Sequence, residues 1–160
     1  MLILMFFMSC NNGNYLQEFK NYNQFNKIEN PRLKGWFPAE LIKPDAKNIK
    51  NISDLSTKCI FGVFEYENEE FYDSIFNDKN SIDKTHNEIF QKQIESVKNI
   101  IPEWFPKIDY WKTKKVGIIL FDNCFAYRDL KKKQIYYFHP KEKSTFINGK
   151  IYPGVRKSIR

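Results

Sequence analysis

The chain has 160 residues, 26 basic against 19 acidic side chains, 17% aromatics, and only six Gly and seven Pro. These figures exclude collagen-like and low-complexity proteins, and 42% hydrophobic residues argue against wholesale disorder. Three cysteines rule out a disulfide scaffold, and a mean hydropathy of −0.59 rules out a polytopic membrane protein.

The net charge of +7 is unevenly placed. Residues 1–80 carry nine basic and eleven acidic side chains, whereas residues 128–160 carry ten and two. Lys is far commoner than Arg, and Lys, Asn, Ile and Phe are all abundant, as AT-rich coding DNA would produce. The position of the charge therefore says more than its total. A basic carboxyl-terminal third suits nucleic acid, an anionic envelope surface or an acidic protein partner.

Residues 1–8 are entirely apolar, followed by Ser9, Cys10 and the polar run Asn11-Asn12-Gly13-Asn14. A nine-residue helix is about 14 Å long and cannot span a hydrocarbon core of about 30 Å. It suits the apolar core of a signal peptide. With Phe7-Met8-Ser9-Cys10 in the place of a lipobox, the amino end resembles a bacterial lipoprotein precursor. That resemblance implies cleavage before Cys10, lipidation of its thiol and a place in the cell envelope, with Asn11 leaning towards the outer membrane. The residues alone leave a second reading open, in which residues 1–9 form a buried strand and Cys10 is an ordinary thiol. The expected organisation is a signal peptide over 1–9, a flexible tether over 10–30 with a short helix near Leu16–Asn21, and one domain over 31–160.

Within that domain, β-forming residues at Lys58–Tyr66 predict the first strand. Phe71, Tyr72, Ile75 and Phe76 predict a short helix. Thr85-His86-Asn87-Glu88 has capping-box form, and Ile89, Phe90, Ile94, Val97 and Ile101 line one face of the helix behind it, which stops at Pro102. Lys115–Phe121, the most apolar stretch, is expected as the central strand. Strands at Cys124–Arg128 and Gln134–Phe138 follow, with Lys131–Lys133 as their turn, and Asn148-Gly149 centres a hairpin. The expectation is an α+β fold: an antiparallel sheet of about four strands, ordered strand, helix, helix, meander, under one helical layer.

No chemistry-bearing constellation emerges. Cys59, Cys124, His86 and His139 show no local pairing that would activate a nucleophile, and both cysteines lie in apolar strands where thiols are inert. A Cys59–Cys124 disulfide is a candidate in an exported protein, closing a loop of about 65 residues, but two buried free thiols are preferred. No cofactor motif or metal-ligand spacing is present, and no enzymatic activity is expected. The repeated Trp-Phe-Pro, at Trp36–Pro38 and Trp104–Pro106, reads as packing rather than as a ligand grip. The crowd of Glu65, Glu67, Glu69 and Glu70 reads as a solvated turn. The candidate binding face comprises Lys131, Lys132, Lys133, Tyr137, Lys141 and Lys143. Two functions fit: a membrane-anchored envelope module that binds a protein partner, of which an immunity-type or inhibitor protein is one concrete version, and a cytosolic polyanion-binding domain. Nucleic acid is the less favoured partner, because Tyr136-Tyr137-Phe138 occupy one strand and alternate residues must point inward.

Overall fold

The structure, a computed structural model, describes residues 10–11, 13–28, 36–38, 40–77, 84–113, 118–121, 124–140, 145–147 and 150–152. The expected signal peptide, residues 1–9, lies outside them. Strands β1 (Cys10–Asn11), β2 (Asn14–Asn21), β3 (Lys47–Asp54), β4 (Ile60–Glu65), β5 (Ile118–Phe121), β6 (Cys124–Asp129) and β7 (Gln134–His139) form one antiparallel sheet. Its order is β1-β2-β3-β4-β7-β6-β5. Six full strands and a two-residue edge therefore replace the expected four. Separately, β8 (Thr145–Ile147) pairs antiparallel with β9 (Lys150–Tyr152), and the Asn148-Gly149 expected at the centre of that hairpin lies outside the described residues.

Alternation along the strands sends side chains to two distinct cores. On one face, Phe19, Ile49, Phe64, Ala126, Ile135 and Tyr137 pack beneath helix α1 (Tyr22–Asn26), the 36–46 segment and helix α2 (Glu69–Asn77). On the other, Phe61, Ile118, Phe125, Tyr136 and Phe138 pack beneath helix α3 (Lys84–Ser96), a 3-10 turn (Lys98–Ile100) and helix α4 (Ile108–Thr113). The sheet is thus covered on both faces, which corrects the single helical layer. It also explains why Tyr136, Tyr137 and Phe138 are all buried although they are consecutive.

The expected tether is another correction. Residues 14–21 are a full strand of the sheet, running beside β3 from Asn14↔Asp54 to Asn21↔Lys47, and Phe19 and Phe25 are core residues. The helix expected at Leu16–Asn21 is instead β2, and the turn that follows it is helical. Asn21 caps α1 by accepting a hydrogen bond from the Gln24 amide at 3.1 Å. The strand at 118–121 is at the edge rather than the centre. Its apolar character comes from both faces being covered: Ile118 faces one core and Ile119 the other.

The two Trp-Phe-Pro tripeptides lie on opposite faces. Phe37 packs edge-on against Phe25 at 4.9 Å, and Phe105 against Phe61 at 5.1 Å. In each the Phe is buried and the Trp half-buried, with Trp36 against His139 at 4.1 Å and Trp104 beneath the Lys50 ammonium at 5.6 Å. Each tripeptide closes one core.

A polar ladder crosses the middle of the sheet. Tyr137 in β7 stands opposite Gly62 in β4, and its ring lies over the glycine. Its hydroxyl thereby reaches β3, donating to Asn51 Oδ1 at 3.0 Å, and Asn51 Nδ2 donates to Gln17 Oε1 of β2 at 3.4 Å. Burial holds the Tyr137 hydroxyl protonated, far above its ordinary pKa. A Cβ at position 62 would stand 1.9 Å from Cζ of Tyr137. Gly62→Ala is therefore expected to cost at least about 2 kcal/mol of stability in urea unfolding, by displacing the ring and its hydrogen bond. Tyr137→Phe keeps the packing but strands the Asn51 oxygen, with an expected loss of about 1–2 kcal/mol.

Candidate functional site at the two ends of the sheet

Strand register defines two ends. At one, Cys10 pairs with Tyr15, the β3–β4 turn spans residues 55–59, and the chain leaves β7 at Pro140. At the other lie Lys47, Glu65, Gln134 and the β6–β7 turn at residues 130–133. Six-residue β7 separates them by about 20 Å.

The same turn is used at both ends. Asp54-Leu55-Ser56-Thr57-Lys58 and Asp129-Leu130-Lys131-Lys132-Lys133 share the pattern Asp-Leu-x-x-Lys. In the first, Asp54 accepts hydrogen bonds from the Thr57 amide at 2.6 Å, the Ser56 hydroxyl at 2.6 Å and the Thr57 hydroxyl at 2.8 Å. In the second, Asp129 accepts from the Lys131 and Lys132 amides at 3.1 and 3.2 Å. The terminal lysines adopt left-handed backbone conformations, with φ of 60° at Lys58 and 52° at Lys133. The carboxylate satisfies the turn's amides and leaves the leucine pointing outward, so Leu55 and Leu130 are 63% and 67% exposed.

These turns divide the expected binding face. Lys131 and Lys132 are exposed. Lys133 is ion-paired with Glu69 of α2 at 2.6 Å, and that hydrogen bond raises its pKa. Tyr137 is wholly buried in the sheet interior and belongs to no surface. Lys141 and Lys143 lie outside the described residues, and the chain reaches them from Pro140, at the opposite end from Lys131. Among the described residues, the expected face is thus reduced to Lys131, Lys132 and the paired Lys133.

The Glu-rich stretch supplies the counter-charge at the Lys131 end. Lys47 pairs with Glu67 and Arg128 with Asp73, alongside Lys133–Glu69. The Arg128 side chain is only 6% exposed, donates Nε–H to the Tyr66 hydroxyl at 2.5 Å, and lies over the Tyr66 ring at 5.2 Å. Burial opposes its charge, but the hydrogen bonds to Tyr66 and Asp73 outweigh it and raise its pKa. Arg128 thereby fastens α2 to β6. The acidic first half and the basic second half of the sequence meet here, with Lys131 and Lys132 exposed in the adjoining turn.

The candidate disulfide is not formed. Cys59 and Cys124 are buried thiols outside any disulfide and belong to opposite cores. Cys59 immediately precedes β4 and Cys124 opens β6, on either side of β7, two strand spacings of about 4.8 Å apart and beyond the reach of a disulfide even before the facing is considered. Cys59 lines an open cleft of about 330 Å³ with Ser56, Thr57, Gln93, Ser96, Val97, Phe138 and Pro140. Cys124 has no exposure. His86 falls in α3 and its side chain is outside the described set, while His139 packs on Trp36. On the second face, Tyr110 and Tyr127 share a hydroxyl–hydroxyl hydrogen bond, and burial together with that bond raises the Tyr127 pKa. Among the described residues there is no group of three His, Cys, Asp or Glu able to hold a metal ion, and no helix long and apolar enough to cross a membrane.

No family model, curated protein or solved structure matches this chain.

Asp54 gives the turn at the Cys10 end a pH signature. Burial favours the protonated acid, but the Ser56 and Thr57 hydrogen bonds together overcome it and hold the carboxyl below its ordinary value of 3.8. A depressed folded pKa contributes stability above the unfolded value, and that stability is lost as pH falls through the folded pKa. The protein is expected to lose this contribution below about pH 4, whereas Asp54→Asn should be less stable at pH 7 and show a shallower acid slope in pH-dependent urea titrations.

Proposed function

We propose that this chain is a binding module that meets a polyanionic partner through the basic side chains of its carboxyl-terminal third. The observation that carries the reading is the β6–β7 turn, where Asp129 fixes the backbone and Lys131 and Lys132 stand exposed beyond the ion pairs of Lys47, Arg128 and Lys133. Recognition is by charge rather than by base stacking, because Tyr136, Tyr137 and Phe138 are committed to the two cores. Such binding is sequence-tolerant and weakens steeply with salt.

Retention of the full chain on immobilised single-stranded DNA across a salt series tests the reading. Lys131→Ala/Lys132→Ala is expected to lower the slope of log affinity against log salt by about 2. Absence of retention at low salt, or a slope unaltered by the double substitution, counts against it.

A second reading places the module at the cell envelope, anchored through Cys10 and directed at a protein partner. It is supported by the lipobox resemblance at Phe7–Cys10 and by the position of Cys10 as the first residue of β1, where a cut before it would leave every described strand intact. Intact mass of the membrane fraction tests it. A chain lacking residues 1–9 and carrying acyl groups is expected, and a full-length chain confined to the aqueous fraction would rule the anchor out.

A further inference from the structure

The open cleft beside Cys59, of about 330 Å³, lies at the opposite end of β7 from Lys131, between the β3–β4 turn and the last turn of α3. Its volume is at the lower end of the range for small-molecule sites. None of its lining residues carries a charge. Val97, Phe138 and Pro140 give it apolar surface, Ser56, Thr57 and Ser96 give it hydroxyl groups, and Gln93 adds an amide. The hydroxyls have already committed their hydrogens. Ser56 and Thr57 donate to Asp54 at 2.6 and 2.8 Å, and Ser96 donates to the Gln93 carbonyl at 2.6 Å. The Thr57 amide also donates to Asp54, and the Cys59 amide to the Thr57 hydroxyl at 3.3 Å. What the hydroxyls offer to a ligand is therefore lone pairs.

We infer that this cleft binds an alkylammonium group, the terminus of a lysine side chain or of a free polyamine. An ammonium ion offers three donors and no acceptor, so it complements a wall of hydroxyl oxygens. A carboxylate or phosphate, which can only accept, finds no hydroxyl hydrogen there. The methylene chain behind the ammonium suits Val97, Phe138 and Pro140. Two fixed sources of negative potential stand close by. Asp54, 8% exposed, holds its ionised carboxylate directly behind the Ser56 and Thr57 hydroxyls. Helix α3 ends at Ser96, where the helix dipole favours a cation.

Neighbouring side-chain charges do not reverse this preference. Glu95 and Lys98 pair at 3.2 Å and cancel. Lys58 and Lys92 are exposed and neither lines the cleft, so water and salt screen them. The site is also separate from the polyanion-binding turn. Lys131 and Lys132 lie about 20 Å away at the other end of β7, so either assignment can fail alone.

Titration of the isotope-labelled full chain with n-butylammonium, n-butanol and butyrate, followed by amide chemical shifts, tests the assignment. Saturable shifts at Thr57, Cys59 and Val97 are expected with n-butylammonium, about tenfold weaker binding with n-butanol, and none with butyrate. Ser56→Ala/Ser96→Ala is expected to weaken n-butylammonium binding about tenfold, whereas Lys131→Ala/Lys132→Ala leaves it unchanged. Ser96→Lys, at an exposed position, supplies an ammonium from the chain itself and is expected to block the cleft. Thermal midpoints confirm that each variant folds. Nα-acetyl-lysine methylamide and putrescine then distinguish the sources: tighter binding of the first supports a partner's lysine, and of the second a free polyamine. Binding of n-butanol or butyrate as tight as that of n-butylammonium overturns the inference. So do n-butylammonium shifts that follow the exposed Glu67–Glu70 stretch rather than the cleft, or binding that both Ser96 variants leave unaltered.

Discussion

The tyrosine laid across Gly62 is the constraint on which the rest of the sheet depends. Strand β4 is central, and at its midpoint it offers no side chain to the first core. Tyr137 fills that space from the neighbouring strand and carries its hydroxyl past β4 to Asn51. One side chain therefore supplies apolar packing to β4 and the hydrogen bond that makes a buried asparagine tolerable in β3. Asn51 in turn satisfies Gln17, so four adjacent strands are registered by a single line of contacts. A one-residue slip at any of these strands would send the polar partner to the wrong face.

The same line of contacts explains what the sequence conceals. Strands β4, β6 and β7, helix α2 and the hairpin at Asn148-Gly149 are legible because their apolar residues recur at the appropriate period or flank turn residues. Strands β2 and β3 are not legible, because Gln17 and Asn51 occupy inward positions and interrupt the alternation that announces a strand. Their buried status depends on Tyr137, more than eighty residues away in the chain. The edge position of β5 is equally hidden: four apolar residues in a row mark a strand covered on both faces, not its place in the order.

Charge shows a similar division between what is local and what is not. The asymmetry between the halves of the chain is plain in the sequence, and it points to one basic face. The fold brings acidic side chains of α2 against Arg128 and Lys133, which absorbs part of the excess at one end, and it buries Tyr137 away from the surface that carries Lys131 and Lys132. The recurrence of Asp-Leu-x-x-Lys could have been found by eye, since both copies precede a strand rich in aromatics. What could not be read is that one copy ends in an ion pair with Glu69 while the other has no ion pair among the described residues.

Strand order also has a bearing on how the chain folds. Residues 10–65 supply four consecutive strands as neighbours, and residues 118–139 supply three, each a meander that pairs along its own length. The two meet only where β4 runs beside β7, across an excursion of more than fifty residues that carries α2, α3 and α4. Loop closure at that junction is the costly entropic step of folding, because local pairings are in place before the distant one is rewarded. Tyr137, reaching over the junction from one meander to the other, acts as the clasp. Until it closes, each half exposes a bare strand edge, β4 on one side and β7 on the other, and it is in that interval that the chain is most open to pairing with a copy of itself.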